Sequence, residues 1–127
     1  MKTIKEDFKL FVEECEKWID FFGLKDWYVI FDHEDIEDQY EGSTARYVYD
    51  RKARVVRITL NKILNVMEDK RKVLKVAAFH EVSELLLIRL IDFAHGDVPI
   101  EEIDEEIHVI VRRLENSVYR AISHKQK

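Results

Sequence analysis

His80 and Glu84, four residues apart, stand in the middle of the most apolar stretch of the chain. On a helix that spacing puts both side chains on one face, with Cβ atoms roughly 6 Å apart. An imidazole nitrogen and a carboxylate oxygen so placed can converge on one ion at about 2.0–2.2 Å. Glu81 leaves the helix about 100° further round, where it can reach a water on that ion without being a ligand. This is the logic of a His-Glu-x-x-His zinc helix, here with glutamate at the fifth position. A tetrahedral site needs a third protein ligand from elsewhere in the chain.

His108 is the leading candidate for that ligand. It borders an apolar stripe beside Ile107 and Val111, and a short break joins its helix to the one carrying His80, so the two should lie antiparallel. At about 1.5 Å per residue, the descent from Glu84 and the return to His108 agree within a turn or so. His95, in the break itself, competes for the role but lies nearly three turns beyond Glu84. A site without metal is the bland alternative: His80 and Glu84 hydrogen-bonded to each other, with Arg112 or Arg113 closing an ion network. Glu81 acts as a base only if the site is catalytic. Glu105 and His108 also have the Glu-x-x-His spacing of di-iron carboxylate helices, but Ala77 stands where a second copy needs its glutamate. Ser83 fits no nucleophile triad and reads as a small packing residue, while His33 and His124 should be exposed.

The elements that must hold these groups follow from periodicity. Phe8, Phe11, Val12, Cys15, Trp18, Phe21 and Phe22 recur at helical spacing, so residues 3–22 predict an amphipathic helix ended by Gly23 as its C′ residue. Residues 27–31, 44–49 and 54–60 read as strands, the last two as a hairpin turning at Asp50-Arg51-Lys52. Residues 33–42 read as an acidic loop. A second helix is expected over about residues 68–93. From Val73 to Ile91 it is apolar almost all round, which predicts passage through the interior. Ionisable groups there cost several kcal/mol unless paired or bound to a cation. A third helix opens at Pro99, with acids in its first turns and an inward stripe of Ile103, Ile107, Ile110, Leu114, Val118 and Ile122. Helix, three strands, helix, helix is the order of an α+β domain with a mainly antiparallel sheet.

Composition narrows the function. A chain of 127 residues with 46% hydrophobic and 37% charged residues fits one domain with one core. Its net charge of −5 argues against sequence-independent nucleic-acid binding, which needs a basic surface. Two basic runs, residues 51–54 and 70–72, read as a turn tip and a solvated helix start. The aromatic set Trp18, Phe21, Phe22, Trp27, Tyr28 and Phe31 reads as core, not as a base-stacking platform. The single Cys15 excludes an internal disulfide and a thiolate cluster, and suits a reducing compartment. With no apolar run long enough to span a bilayer and no signal core, a cytoplasmic protein is expected.

Residues 79–87, Phe-His-Glu-Val-Ser-Glu-Leu-Leu-Leu, followed by Glu105 to Asn116, resemble the small phage- and prophage-encoded metallopeptidases of the minimal zincin, SprT-like type. The strand Trp27 to Ile30 and the strand Ala53 to Asn61 also stand where that family places its sheet. The resemblance spans about residues 25–116, and the helical His-Glu signal is its specific part. It implies a single zincin-like domain over residues 1–127, a zinc cofactor, and hydrolysis of a peptide bond. By position, His80 is a ligand, Glu81 the general base, Glu84 the second ligand and His108 the third. Glu84 departs from the family's second histidine, although zinc accepts two histidines and one carboxylate in catalytic sites. In the mechanism so implied, zinc acidifies its water and Glu81 carries the proton to the leaving amine. The strand Val55 to Leu60, taken as the cleft edge, would pair with an extended peptide. Asp104, Glu105 or Glu115 would steady the His108 imidazole. The alternative function is a non-catalytic, zincin-like adaptor or inhibitor that binds a protein partner through its acidic surface.

Overall fold

A computed structural model describes residues 1–36, 43–64, 69–96 and 99–125, without the side chains of Arg89, His95 and residues 123–125. Helix α1 (Lys5–Phe21) leads to strands β1 (Tyr28–Glu34), β2 (Ala45–Asp50) and β3 (Val55–Asn61). Helices α2 (Lys70–Leu86), α3 (Ile88–His95) and α4 (Ile100–Leu114) follow, and α4 runs through a π-helical turn (Glu115–Tyr119) into α5 (Arg120–Lys125). The fold is α+β, as the sequence pattern requires.

Gly23 ends α1 as expected. It has φ +69°, and the Gly23 and Leu24 amides donate to the carbonyls of Asp20 and Ile19, the two bonds of a Schellman cap. Leu24 then enters the core fully buried. Gly23→Ala should cost about 1–2 kcal/mol, because a Cβ is disfavoured in the left-handed region. Thermal denaturation would register this as a midpoint several degrees lower.

The β2–β3 hairpin is present, with Asp50 opposite Val55 and the Asp50 side chain accepting the Ala53 amide. Two expectations about the sheet are corrected. It is mixed, because β3 pairs antiparallel with β2 and parallel with β1. Its order is β1-β3-β2, so Val55 to Leu60 lies in the centre, with β1 and β2 as the two edges. Alternation in β3 reports which face is buried: Val56, Ile58 and Leu60 face the helices with no exposure, while Arg57 faces out and pairs with Asp32. It says nothing about which strand is outermost.

Helices α1 and α2 cover that buried face. Phe11 and Cys15 of α1, Leu74, Ala78 and Val82 of α2, and the inner residues of β3 form one apolar cluster. The Asp7 carboxylate accepts the Ile4 amide and pairs with Lys70 at 2.9 Å, joining the starts of both helices. The expected long second helix is broken. Leu87 leaves helical geometry (φ −102°, ψ 4°), without glycine or proline, and Ile88 beyond it is fully buried. The helix begins at Lys70 with Asp69 as its cap, and Glu68 lies outside the described residues.

Helix α2 does not cross the interior either. One face packs inward, while Val76 and Phe79 are 59% and 43% exposed. Phe79 still meets Trp18 edge-on at 4.9 Å, so its exposure is partial shelter against α1. The aromatic set is largely core or helix contact, Tyr28 being the exception. His33 is not a free surface group: it stacks on Phe8 at 5.1 Å, and its Nε2 lies 2.7 Å from the Thr3 hydroxyl. The expected acidic loop is part strand, since His33 and Glu34 complete β1, while residues 37–42 lie outside the description. His124 is likewise outside the described side chains. The basic runs form a turn tip and an exposed helix start, and within them Arg51 pairs with Asp92, Arg54 with Asp26 and Lys70 with Asp7.

Candidate metal centre

The α2 cap fixes where the His80 turn falls. Asp69 accepts the Arg71 amide, and from there α2 runs beside the start of β2. A groove of about 450 Å³ separates them, with Ser43, Thr44 and Ala45 on one wall and Val76, His80 and Glu81 on the other. His80 Nε2 and Glu84 Oε1 are 3.5 Å apart. Two ligands of a tetrahedral zinc ion with bonds of about 2.1 Å would stand roughly 3.4 Å apart, so this pair already has the spacing of one tetrahedral edge. The two side chains are 65% and 40% exposed, so they are not the buried groups that an interior helix predicts.

Glu81 is the buried one. It is only 6% exposed, and its Oε2 is buried without a hydrogen-bond partner. A carboxylate there loses hydration that nothing on the protein replaces. Burial, reinforced by the neighbouring Glu84 charge, therefore pushes its pKa up to about 7. The Cys15 thiol is also pushed up, by burial and then by Glu81, as expected of an inert structural thiol. Among the described residues, His80, Glu81 and Glu84 form a group of ligand-type side chains with donor atoms all within 4.8 Å of one another. One imidazole nitrogen and two carboxylate oxygens form a donor set that zinc accepts. A cation is also what a partnerless buried carboxylate oxygen lacks.

No protein-family model, curated protein or solved structure matches the chain.

The other expected groups are placed differently. His108 stands outside the three-residue group, on an exposed turn of α4. Its Nδ1 donates to the Asp104 backbone carbonyl at 2.8 Å, so the main chain steadies the ring where a carboxylate was expected. That bond leaves Nε2 as the acceptor nitrogen of the neutral ring. The reason for the displacement is helical phase. Ile110 is buried and Ile103 half-buried, but Ile107, Leu114, Val118 and Ile122 of the expected inward stripe are exposed. The inner face instead carries Glu106, Arg113 and Ser117 beside Ile103 and Ile110. Arg113 pairs with Asp26 at 3.5 Å, and Arg112 donates to the His108 carbonyl, so the expected arginine closure of the His80–Glu84 pair is not how they are used. His95 closes α3, and its side chain lies outside the description.

The sequence pattern places β2 but gives it no part in the site. Its Tyr47 stands close enough to Glu84 and Glu81 that burial, followed by their charges, raises its phenol pKa. Tyr49 donates to Asp92 Oδ1 at 2.7 Å, fastening β2 to α3 beyond the α2 break. The alternation of Ala45, Tyr47 and Tyr49 marks the face turned to α2, and was the available signal.

Proposed function

We propose that the chain is a zinc-dependent, peptidase-like hydrolase, with His80 and Glu84 supplying two of the ion's protein ligands, a third coming from outside the three-residue group, and Glu81 as general base. The observation that carries this reading is the buried, partnerless Glu81 oxygen at the edge of the groove, beside a His80–Glu84 pair at ligand spacing. Zinc, when bound, supplies an acidified water and polarises a carbonyl. The residues of the chain do the rest. His80 and Glu84 would hold the ion beside the groove. Glu81, poised near neutrality, takes a proton on its carboxylate and returns it to the leaving amine. The outer edge of β2, not β3, offers backbone groups to an extended peptide lying in the groove. No described helix is long and apolar enough to cross a membrane. The buried reduced Cys15 suits a cytoplasmic setting.

A second reading has its own support. The donor atoms of Glu81, His80 and Glu84 all lie within 4.8 Å of one another, and as a ligand Glu81 would leave the site without a base. The chain would then hold metal without hydrolysis and act as an adaptor or inhibitor on a protein partner. Elemental analysis tests the common premise: one equivalent of zinc in the wild type should disappear in His80→Ala. Retention of metal in that variant, or its absence from the wild type, removes the metal centre. Glu81→Gln then separates the two readings. A base is expected to leave metal content intact while hydrolysis of a casein-like substrate falls by about 10²-fold or more. Loss of the metal instead makes Glu81 a ligand.

A further inference from the structure

Residues 100–125 form one continuous rod, since Leu114, Glu115 and Arg120 all keep right-handed helical angles across the π-helical turn. Ser117 contributes to that turn by donating its hydroxyl to the Arg113 carbonyl, which competes with the ordinary helical bond. The apolar residues of the rod are not confined to the face turned to the body, as they are on a normal surface helix. The face on the body of the protein includes Glu106, Arg113 and Ser117, whereas the open face carries Ile107, Val111, Leu114, Val118 and Ile122, each 38–53% exposed. Their spacing of three and four residues is that of a helix–helix seam. Val111, Leu114, Val118, Tyr119 and Ile122 line a shallow groove of about 450 Å³ along it.

Charge along the rod indicates what covers the seam. Glu101, Glu102, Asp104, Glu105 and Glu106 fill its first turns, with no base before His108. Arg112 and Arg120 follow on exposed positions of the second half, where Glu115 is the only acid, while Arg113 is turned to the body and paired with Asp26. A parallel copy would set acids beside acids. A reversed copy centred on residues 112 and 113 sets Glu105 opposite Arg120, so the acidic end of each rod meets the end of the other that carries Arg120.

We propose that the chain forms a symmetric dimer in which the residue 107–122 seam packs antiparallel against the same seam of a second copy. A two-fold axis near residues 112 and 113 brings Ile107 opposite Val118 and Val111 opposite Leu114. Such an interface is isologous and closes on itself. It leaves the His80 groove on another element and does not depend on metal.

Sedimentation equilibrium of the full chain in a chelator is expected to give twice the 15.3 kDa chain mass. The double substitution Val111→Glu with Leu114→Glu should return the mass to that of one chain and leave the circular dichroism unchanged, because both side chains are already exposed. Orientation is read by oxidative cross-linking. Ile107→Cys chains mixed with Val118→Cys chains should join, while neither should join to itself, and the buried Cys15 stays silent. A wild type that remains monomeric at high concentration overturns the proposal and leaves the seam to a different protein. A dimer indifferent to the double substitution overturns it as well, and self-joining of Ile107→Cys overturns the antiparallel arrangement.

Discussion

Glu81→Gln is expected to stabilise the metal-free protein by about 3 kcal/mol near pH 8 and to leave it almost unchanged near pH 4. The sign follows from where the proton sits. The folded chain holds the Glu81 proton up to about pH 7, whereas the unfolded chain releases it near the ordinary value of 4.5. Between those values the native state binds more protons than the unfolded state, so stability falls as pH rises. At roughly 1.4 kcal/mol per pH unit, the interval amounts to about 3 kcal/mol, all of it lost above neutrality. Glutamine has nearly the shape of the protonated acid and cannot ionise, so it abolishes this slope. It leaves the contribution of every other carboxylate in place. Denaturant midpoints across that pH range, with a chelator present, would show the two profiles converging in acid and diverging in base. Parallel profiles would mean that the Glu81 carboxylate finds solvent or a partner in solution, and the central observation for the site would be lost.

How far the sequence could reach depended on what each pattern physically reports. Gly23 was legible because a left-handed helix cap leaves glycine as the unstrained choice, and the Schellman bonds are where that rule puts them. The hairpin was legible because two β-rich runs flank a short charged turn. Strand order was not, because alternation encodes burial of a face and carries no mark of which backbone edge is paired. Hydropathy misled in α2. A run from Val73 to Ile91 that is apolar on nearly every side suggested complete burial, yet Val76 is exposed and Phe79 is only partly sheltered by Trp18. The same run predicts His80 inside, yet it stands at the surface, while the i,i+4 spacing does bring it to Glu84. Helix α4 failed for a related reason. Its strongest apolar stripe was assigned to the chain's own core, but it faces outward, and this turned His108 away with it. Periodicity identifies an apolar face without saying whose surface will cover it.

Zinc should reverse the pH dependence described for the metal-free protein. A cation beside Glu81 favours its ionised form, so the gain from zinc is greatest near and above neutrality, where Glu81 loses its proton. At a free concentration about a thousand times the dissociation constant, binding stabilises the fold by about 4 kcal/mol. That is enough to offset what deprotonation of Glu81 removes. Thermal melts with zinc are therefore expected to show rising stability from acid to about pH 8, the opposite of melts in chelator. The variants divide the site further. His80→Ala should abolish the zinc effect at every pH, because the nitrogen donor is gone. His108→Ala should preserve it, since that ring stands outside the group and is bonded to the Asp104 carbonyl. Loss of the effect in His108→Ala would mean that α4 carries its imidazole to the ion in solution, restoring His108 as third ligand. Glu81→Gln decides the remaining question in the same melts: a retained zinc shift leaves Glu81 free to act as a base, and a lost one places it on the ion.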